Sequence, residues 1–351
     1  MPTEELAPAP FDIDEVLSPR WLTGVLQRSF PGVSVGATEV VETLESTARK
    51  VRFSVTYDDA AGRTDLPAAL CVKGYFHPEY TKFGYTGIHE ARFYDVLAPQ
   101  VPIRVPTPRY TGIDAGLPHG LVLMDDVVAA GSVFFNQLSW YDLDTVRQSL
   151  TELATMHAQY WDHPLAAEDW LAPKIKFFPG YISDEIMNEL LRGPRGVGFP
   201  DRMRDAARLK AGLEALANRY STQPRTLIHA DAHLGNLYRE PGGRIGFVDW
   251  QNYEFGHWSM DVAYHLATAL RPADRAGHER DLLGYYLQTL ADHGGPVMSM
   301  ADAWEDYRAA PAYGYFLWAM TRRVVPAITE ELTQRLGHSV LTHDSLEVLG
   351  V

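Results

Sequence analysis

The chain has 351 residues, of which 46% are hydrophobic, and its formal net charge is −14 at pH 7. The length suggests two domains or one domain with two lobes, and the acidic balance argues against binding to nucleic-acid phosphates. The single cysteine, Cys71, excludes an internal disulfide. Together with an acidic start that lacks a secretory pattern and no bilayer-length apolar run, it predicts a cytoplasmic protein without a membrane partner.

The first section of the chain is predicted to be β-rich with one embedded helix. Residues 1–10 are rich in proline and glutamate, and we expect them to be disordered. Ser18-Pro19 is typical of a helix start, so a helix is predicted from there to about Gln27. Apolar alternation and short apolar runs predict the other elements, which are strands at 51–57, 66–76, 109–111 and 121–124 and a helix at 87–97.

After Asp126 the pattern becomes mostly helical. Amphipathic spacing predicts helices at 139–161, 201–220, 257–270, 275–291 and 301–320, with one β interruption around 237–249. The change of character predicts an α+β fold with a β-rich N-terminal domain, residues 1–126, and a helical C-terminal domain, residues 127–351.

The stretch 227–251, LIHADAHLGNLYREPGGRIGFVDWQ, carries the densest set of polar groups. His229, Asp231, His233 and Asn236 lie between apolar flanks, and a second apolar run leads to Asp249. A base-like carboxylate followed by an amide and a second carboxylate suits phosphoryl transfer from a magnesium nucleotide. Such transfer needs a group that takes a hydroxyl proton, and oxygen ligands of the kind that Mg²⁺ prefers.

The pattern H-x-D-x-H-x-G-N followed by V-D-W-Q resembles the loops of the aminoglycoside phosphotransferase and choline kinase-like superfamily. Ala230 and Trp250-Gln251 depart from the H-R-D and D-F-G of protein kinases. The D-W-Q and the aromatic residue after V-A resemble the ecdysteroid-kinase-like branch, whereas His233 is similar to the aminoglycoside branch. The resemblance implies a bilobal protein-kinase-like fold and ATP- or GTP-dependent phosphorylation of a small-molecule hydroxyl.

The resemblance also assigns roles in this stretch. It implies that Asp231 is the catalytic base and that Asn236 and Asp249 hold Mg²⁺. His229 corresponds to a position that mainly braces the loop. For His233, contact with the transferring phosphoryl group and simple packing both stay open.

A kinase-like site also needs a lysine on a strand of the first lobe and a carboxylate that holds it. Lys73 lies in the apolar run ALCVKGYF, and Glu90 follows seventeen residues later in H-E-A-R-F-Y, which is similar to E-x-x-F-Y of the ecdysteroid-kinase-like proteins. The alternative for Lys73 is an edge-strand lysine that faces solvent.

The run GLVLMDDV, residues 120–127, resembles the hinge between the lobes. It implies that backbone groups from Asp125 to Val127 bind the purine and that Met124 packs on its face. The phosphate loop lacks glycine, so hydroxyl groups of Ser46 and Thr47 are the candidate phosphate donors. A plain β-turn is the alternative there.

Candidate acceptor-binding residues follow from the family's acceptor position, namely Asp126, Tyr253, Glu254 and Trp258. An aromatic set at 313–318 is either core or pocket, and as a pocket it favours a bulky, partly apolar alcohol such as an antibiotic. Two alternatives remain, a metal-dependent hydrolase that uses His229, Asp231 and His233, and a nucleotide-binding pseudokinase. The acceptor, the choice of ATP or GTP and the oligomeric state are left open.

Overall fold

A computed structural model describes residues 6–45, 48–58, 63–76 and 84–351. The chain divides into two compact units, which we call the sheet unit and the helical unit. The sheet unit comprises Met1–Val101, Val105–Val133 and Val248–Gln251, and the helical unit comprises Pro102–Arg104, Phe134–Phe247 and Asn252–Val351. The division therefore falls somewhat later than residue 126, and Asp249 belongs with the N-terminal strands rather than with its neighbours in sequence.

The sheet unit is built on a five-stranded antiparallel sheet of order β1-β2-β3-β5-β4. Its strands are β1 Val35–Glu45, β2 Arg49–Tyr57, β3 Ala69–Gly74, β4 Pro108–Asp114 and β5 His119–Asp125. Its helices are α1 Ile13–Val16, α2 Pro19–Leu26 and α3 Gly84–Arg92, and a π-helical turn, Phe93–Leu97, follows α3. One face of the sheet, with Val51, Phe53, Leu70, Val72 and Leu123, packs in the core that also contains the apolar side of α2.

Helix α2 begins where its sequence predicts. Ser18 caps it by accepting a hydrogen bond from the Trp21 N–H at 3.3 Å, and Pro19 occupies the first helical position. The long strand β1 was not predicted, because its side chains are mostly exposed and give no buried alternation.

Disorder of the first ten residues is an expectation that fails for residues 6–10. The Ala7 carbonyl accepts a hydrogen bond from Trp21 Nε1 at 2.9 Å, and the Pro8 carbonyl accepts one from Tyr110 Oη at 2.7 Å. Ala9 is buried, so the segment is part of the core. These bonds use main-chain acceptors, which composition does not show.

The helical unit contains nine described α-helices and several short strands. The helices are α4 Leu143–Gln159, α5 Asp184–Arg192, α6 Ala206–Tyr220, α7 Trp258–Ala269, α8 Pro272–Asp292, α9 Met300–Ala309, α10 Pro311–Met320, α11 Pro326–His343 and α12 Ser345–Val348. The strands are β7 Thr226–Ile228, β8 Leu237–Arg239, β9 Ile245–Phe247 and β10 Glu254–Gly256, after β6 Val133–Phe134 at the unit boundary. None of the helices in the described part of the chain has the length and apolarity needed to cross a bilayer.

Two expectations for this unit need correction. The helix predicted at 301–320 is two helices, because Pro311 has no N–H to continue α9 and instead begins α10. The strand pair near 237–249, formed by β8 and β9, is not the only β structure here, since β7 pairs with β10. The pairing of β7 with β10 frames the segment that carries Asp231.

Candidate active site

Lys73 lies at the centre of a buried ionic cluster in the sheet unit. Its Nζ is 2.7 Å from Glu90 Oε2 and 2.7 Å from Asp249 Oδ1. Lys73 is 5% exposed and Glu90 is 3% exposed, which excludes the solvent-facing alternative for the lysine. The strand, the following helix and the D-W-Q segment therefore bring together three residues that the sequence separates widely.

The charges of this cluster stabilise one another. Burial alone would lower the pKa of Lys73, but attraction to Asp249 and Glu90 outweighs it, so the pKa is raised and the ammonium stays charged. Burial would likewise raise the pKa of Asp249, yet Lys73 and Lys50 lower it. A carboxylate whose pKa is lowered, beside a lysine whose pKa is raised, is suited to a site that receives phosphate and a divalent cation.

The residues after Asp249 explain why D-W-Q replaces D-F-G. Asp249 has a left-handed backbone with φ 67°, a conformation that costs energy for a residue with a side chain. The Trp250 ring stacks on Phe93 with centroids 3.9 Å apart, and the backbone N–H of Trp250 donates to Glu90 Oε1 at 3.1 Å. Gln251 Oε1 accepts from Tyr75 Oη at 3.1 Å. These contacts hold Asp249 in its strained conformation.

The predicted hinge lies at the end of β5, on the same sheet face as Lys73. Cross-strand pairing sets Met124 opposite Cys71, and Val122 opposite Lys73. The Asp125 N–H donates to Thr107 O at 3.0 Å and the Asp126 N–H donates to Ala69 O at 3.3 Å. Because those donors are used within the unit, the prediction of purine binding by hinge N–H groups now rests on Val127. Ser46 and Thr47 lie outside the described residues.

Asp126 is engaged inside the sheet unit. Its carboxylate lies 2.9 Å from Arg52 Nε and accepts the N–H of Val128 at 2.9 Å. These partners account for its burial. They weaken the prediction that Asp126 contacts the acceptor.

In the helical unit, Asp231 follows β7 in a loop and its carboxylate receives two side-chain donors. Tyr264 Oη donates to Oδ1 at 2.6 Å and Asn252 Nδ2 donates to Oδ2 at 3.3 Å. The indole N–H of Trp318 donates in turn to Tyr264 Oη. Two donors favour the ionised carboxylate and fix its orientation, which a proton acceptor needs.

The loop around Asp231 is clamped by side chains of α7. The two oxygens of Asp261 accept the N–H groups of His229 and Ala230, both at 2.7 Å. Burial alone would raise the pKa of Asp261, but hydrogen bonds and charge from the histidines outweigh it and lower the pKa. His265 Nδ1 donates to Ala232 O at 2.9 Å, consistent with a neutral ring whose pKa burial lowers to about 4. The clamp holds Ala230 at φ 62°, again left-handed.

The remaining polar residues of the loop have distinct partners. His229 is fully buried and its Nδ1 accepts the Asp231 N–H at 3.2 Å, as expected of a bracing residue. His233 Nδ1 accepts the Gly235 N–H at 3.0 Å, and its Nε2 is 3.9 Å from Asp231 Oδ1. Asn236 Nδ2 donates to Asp231 O at 2.9 Å, so its amide oxygen remains as the group to offer a metal.

The histidine-rich loop does not form a zinc centre. Across the ranges that the structure describes, no three His, Cys, Asp or Glu side chains are grouped so as to hold a metal ion. His229 Nδ1 is instead used by the loop's own backbone. The described residues therefore give no support to the metal-dependent hydrolase.

Comparison with known proteins settles the family. Residues 87–298, more than half of the chain, match the model of the phosphotransferase enzyme family, APH. The chain belongs to this phosphotransferase family. It is thus a small-molecule kinase, as the motif predicted, although its assignment to the ecdysteroid-kinase-like branch stays a prediction. A sequence comparison with curated proteins gave no match.

Solved structures support the same fold for this phosphotransferase. A choline kinase from Streptococcus pneumoniae matches with a TM-score of 0.52 at 11% identity, covering 91% of this chain and 98% of that one. An ethanolamine kinase from Plasmodium vivax matches with 0.52 at 11%, covering 86% and 81%. A choline kinase from Cryptosporidium parvum matches with 0.53 at 9%, covering 95% and 97%. These similarities confirm the kinase-like α+β fold.

The acceptor residues predicted for the phosphotransferase lie in its interior. Trp258 is 1% exposed and stacks on Tyr286, with centroids 5.3 Å apart, and Tyr253 is fully buried. Glu254 is also buried, and its Oε2 accepts the Lys174 N–H at 2.6 Å. Burial raises the pKa of Glu254 to about 7. Tyr253 and Trp258 are core residues, and Glu254 ties β10 to the segment around Lys174.

Sequence reasoning missed the residues that contact the Asp231 carboxylate. Asn252 was not singled out, Tyr264 was noted only as the aromatic residue after V-A, and Trp318 was noted only within the aromatic set. One signal was available, because Tyr264 follows Asp261 by three residues and so shares its face of α7. A tyrosine on the face that already holds the phosphotransferase loop is placed to reach the loop's carboxylate.

Proposed function

We propose that this phosphotransferase moves the γ-phosphoryl group of ATP or GTP to a hydroxyl group of a small molecule, with Mg²⁺ as cofactor. The observation that carries the proposal is the buried Lys73–Glu90 pair, with the Asp249 carboxylate 2.7 Å from the same ammonium. In kinases a lysine–glutamate pair of this kind must be in place for phosphate binding.

The nucleotide side of the proposal uses the polar face of the sheet. Lys73, kept charged by its carboxylates, would contact the nucleotide phosphates, while Glu90 holds its position. Met124 lies on the same face, two residues beyond Val122 in β5, where an apolar purine contact is expected. Val127 is the hinge residue proposed to bind the base edge, and Ser46 and Thr47 stay candidate phosphate donors.

Asp249 and Asn236 are the proposed Mg²⁺ ligands, and the chemistry of each side chain suits that role. Asp249 offers a carboxylate with a lowered pKa, and Asn236 offers an amide oxygen because its nitrogen is already a donor. Both are hard oxygen ligands of the kind that Mg²⁺ prefers. When bound, the ion would neutralise phosphate charge during transfer.

Asp231 is the proposed base. Its carboxylate would accept the proton of the acceptor hydroxyl while that oxygen bonds to the γ-phosphorus and the bond to the β–γ bridging oxygen breaks. Tyr264 and Asn252 orient the carboxylate for this step. His229 braces the loop, and His233 Nε2, at 3.9 Å from Asp231 Oδ1, is close enough to influence that carboxylate.

Acceptor identity is the finer part of the proposal. The structural matches include choline and ethanolamine kinases, which makes small amino alcohols worth testing, but identities of 9–11% limit those matches to the fold. A bulky alcohol such as an antibiotic remains an equal candidate. The aromatic set at 313–318 is buried, so it gives no support to an apolar acceptor.

A transfer assay tests the proposal directly. The protein is incubated with Mg²⁺ and γ-labelled ATP or GTP against choline, ethanolamine, amino sugars, nucleosides, macrolides and sterols, and products are identified by mass. We expect a labelled product with at least one acceptor class. Asp231→Asn should reduce its formation by about 10²- to 10⁴-fold, because a general base is lost.

The matched control is Asp274→Asn, which removes an exposed carboxylate of the helical unit. It should leave the transfer rate unchanged. Full transfer by Asp231→Asn would overturn the assignment of the base. Nucleotide binding without turnover of any acceptor would favour the pseudokinase instead.

A further inference from the structure

A second lysine lies beside Lys73 on the polar face of the sheet. Lys50 in β2 pairs directly with Lys73 in β3, and opposed residues of an antiparallel pair project to the same side of the sheet. Lys50 Nζ is 3.3 Å from Asp249 Oδ2, whereas Lys73 Nζ is 2.7 Å from Asp249 Oδ1. One carboxylate thus holds two ammonium groups, one on each oxygen.

This arrangement places two positive charges side by side, which is unfavourable unless carboxylates balance them. Like charges that face each other across two strands repel, so the pair depends on Asp249 and Glu90, which balance it. Neighbouring arginines of β2 have carboxylates elsewhere, since Arg49 pairs with Glu45, and Arg52 with Glu42 and Asp126. Lys50 differs because its ion-pair partner among the described residues is the predicted metal ligand.

Lys50 is also the more exposed and less tightly held member of the pair. Its side chain is 30% exposed and its contact with Asp249 is longer, whereas the Lys73 side chain is 6% exposed and bound on both sides. A lysine ammonium on a flexible stem can change partners at small cost. The segment that leads to it, Glu45 to Lys50, contains no glycine that would let backbone N–H groups cradle phosphate.

We propose that Lys50 is a second phosphate-binding cation, which leaves Asp249 for a nucleotide phosphate oxygen when the nucleotide binds and so frees that carboxylate for Mg²⁺. The inference rests on the proposed nucleotide site. In the nucleotide-free protein Lys50 neutralises Asp249. In the loaded protein the same ammonium replaces part of the positive field that a glycine-rich loop provides through its N–H groups.

Calorimetry of nucleotide binding tests this without an acceptor. Wild type, Lys50→Met and Lys50→Arg are titrated with ATP and with adenosine in EDTA, with GTP and guanosine in parallel. Lys50→Met should weaken metal-free ATP binding by about tenfold or more, because one charge-assisted contact is lost. Adenosine binding should not change, and Lys50→Arg should retain most of the ATP affinity.

Adding Mg²⁺ gives a second measurement, in which Lys50→Met should gain more ATP affinity than wild type. Because Lys50 competes with the metal for Asp249, adding Mg²⁺ should increase the ATP affinity of Lys50→Met by a larger factor than that of wild type. Arg63→Met is the matched control, since it removes an exposed cation of the same unit that pairs with Asp65. It should bind ATP as wild type does.

The outcomes separate the two proposals. Equal ATP affinity of Lys50→Met and wild type, or an equal loss of adenosine and ATP binding, would overturn the role of Lys50. A selective loss of ATP affinity without phosphorylation of any acceptor would retain it and refute the transferase proposal. Failure of the wild type to bind either nucleotide would overturn both.

Discussion

Replacing Tyr264 with phenylalanine tests how the base is held. The change removes one hydroxyl that donates to Asp231 Oδ1 at 2.6 Å and accepts from the Trp318 indole N–H. A hydrogen bond to a charged group contributes about 1.5–3 kcal/mol, and a buried N–H without a partner costs about 1–3 kcal/mol. Tyr264 and Trp318 are 2% and 4% exposed, so solvent does not replace the lost contacts. We expect the free energy of unfolding to fall by about 2–4 kcal/mol.

Catalysis should change in a characteristic way. A carboxylate with one donor fewer is protonated more readily, so the acid limb of the pH–rate profile should move to higher pH. Looser orientation of Asp231 should also lower kcat by about 10- to 100-fold, with little change in the KM for nucleotide. Urea unfolding measures the first effect, and transfer rates to the identified acceptor from pH 5 to pH 9 measure the second.

Tyr313→Phe is the matched control. Its hydroxyl is also buried in the loop frame, but it donates to the Ala230 carbonyl at 2.7 Å rather than to a carboxylate. It should lower stability without moving the acid limb. Coincident pH profiles for the two variants, or an unchanged unfolding free energy for Tyr264→Phe, would refute the reasoning.

Three further predictions concern other parts of the molecule. Glu254→Gln should flatten the dependence of stability on pH. In the folded wild type the pKa of this carboxyl is raised from 4.5 to about 7. The protein therefore loses up to about 3 kcal/mol of stability as the pH rises between these two values. Urea unfolding at pH 5 and pH 8 measures this. ATP should slow the alkylation of Cys71, because this cysteine lies on the same sheet face as Lys73. Burial raises the pKa of its thiol to about 11, so the reaction is followed by mass spectrometry at pH 9. Asp261→Asn should cost about 2–3 kcal/mol of unfolding free energy, because one loop N–H loses its acceptor.

A specific result would contradict each of these three predictions. Glu347→Gln, at an exposed position, serves as control for Glu254→Gln, and equal pH slopes in both would show that Glu254 does not titrate as described. Unchanged alkylation of Cys71 at saturating ATP would place the nucleotide elsewhere. An Asp261→Asn protein as stable as wild type would mean that the clamp contributes no net stability.

The nucleotide side of the site was largely accessible from sequence. A lysine in an apolar strand has few stable arrangements without a buried carboxylate, so Lys73 pointed to a partner, and Glu90 is that partner. The position of Asp249 in the sheet unit was not accessible, because it depends on the stacking of Trp250 on Phe93. Ring stacking between distant segments leaves no local pattern.

The acceptor side was less accessible. From sequence, aromatic residues after Asp249 are equally compatible with a pocket and with a core. Trp258 is a core residue because it packs against Tyr286. The ordered conformation of residues 7–9 depends on tyrosine and tryptophan side chains that donate hydrogen bonds to main-chain carbonyls. The partner of Asp231, Tyr264, is set by the docking of α7, which no single segment encodes.

One face of α7 has a consequence for the order of events during folding. Asp261, Tyr264 and His265 project from that face and bind the loop at His229, Ala230, Asp231 and Ala232. The left-handed Ala230 has no local reason to form, so the loop can take its shape only after the helix has docked. We expect loop substitutions to speed unfolding rather than slow folding, which gives kinetic Φ-values near zero in stopped-flow measurements. The chemical competence of the chain is then a late product of folding, gained in the same step that seats one helix.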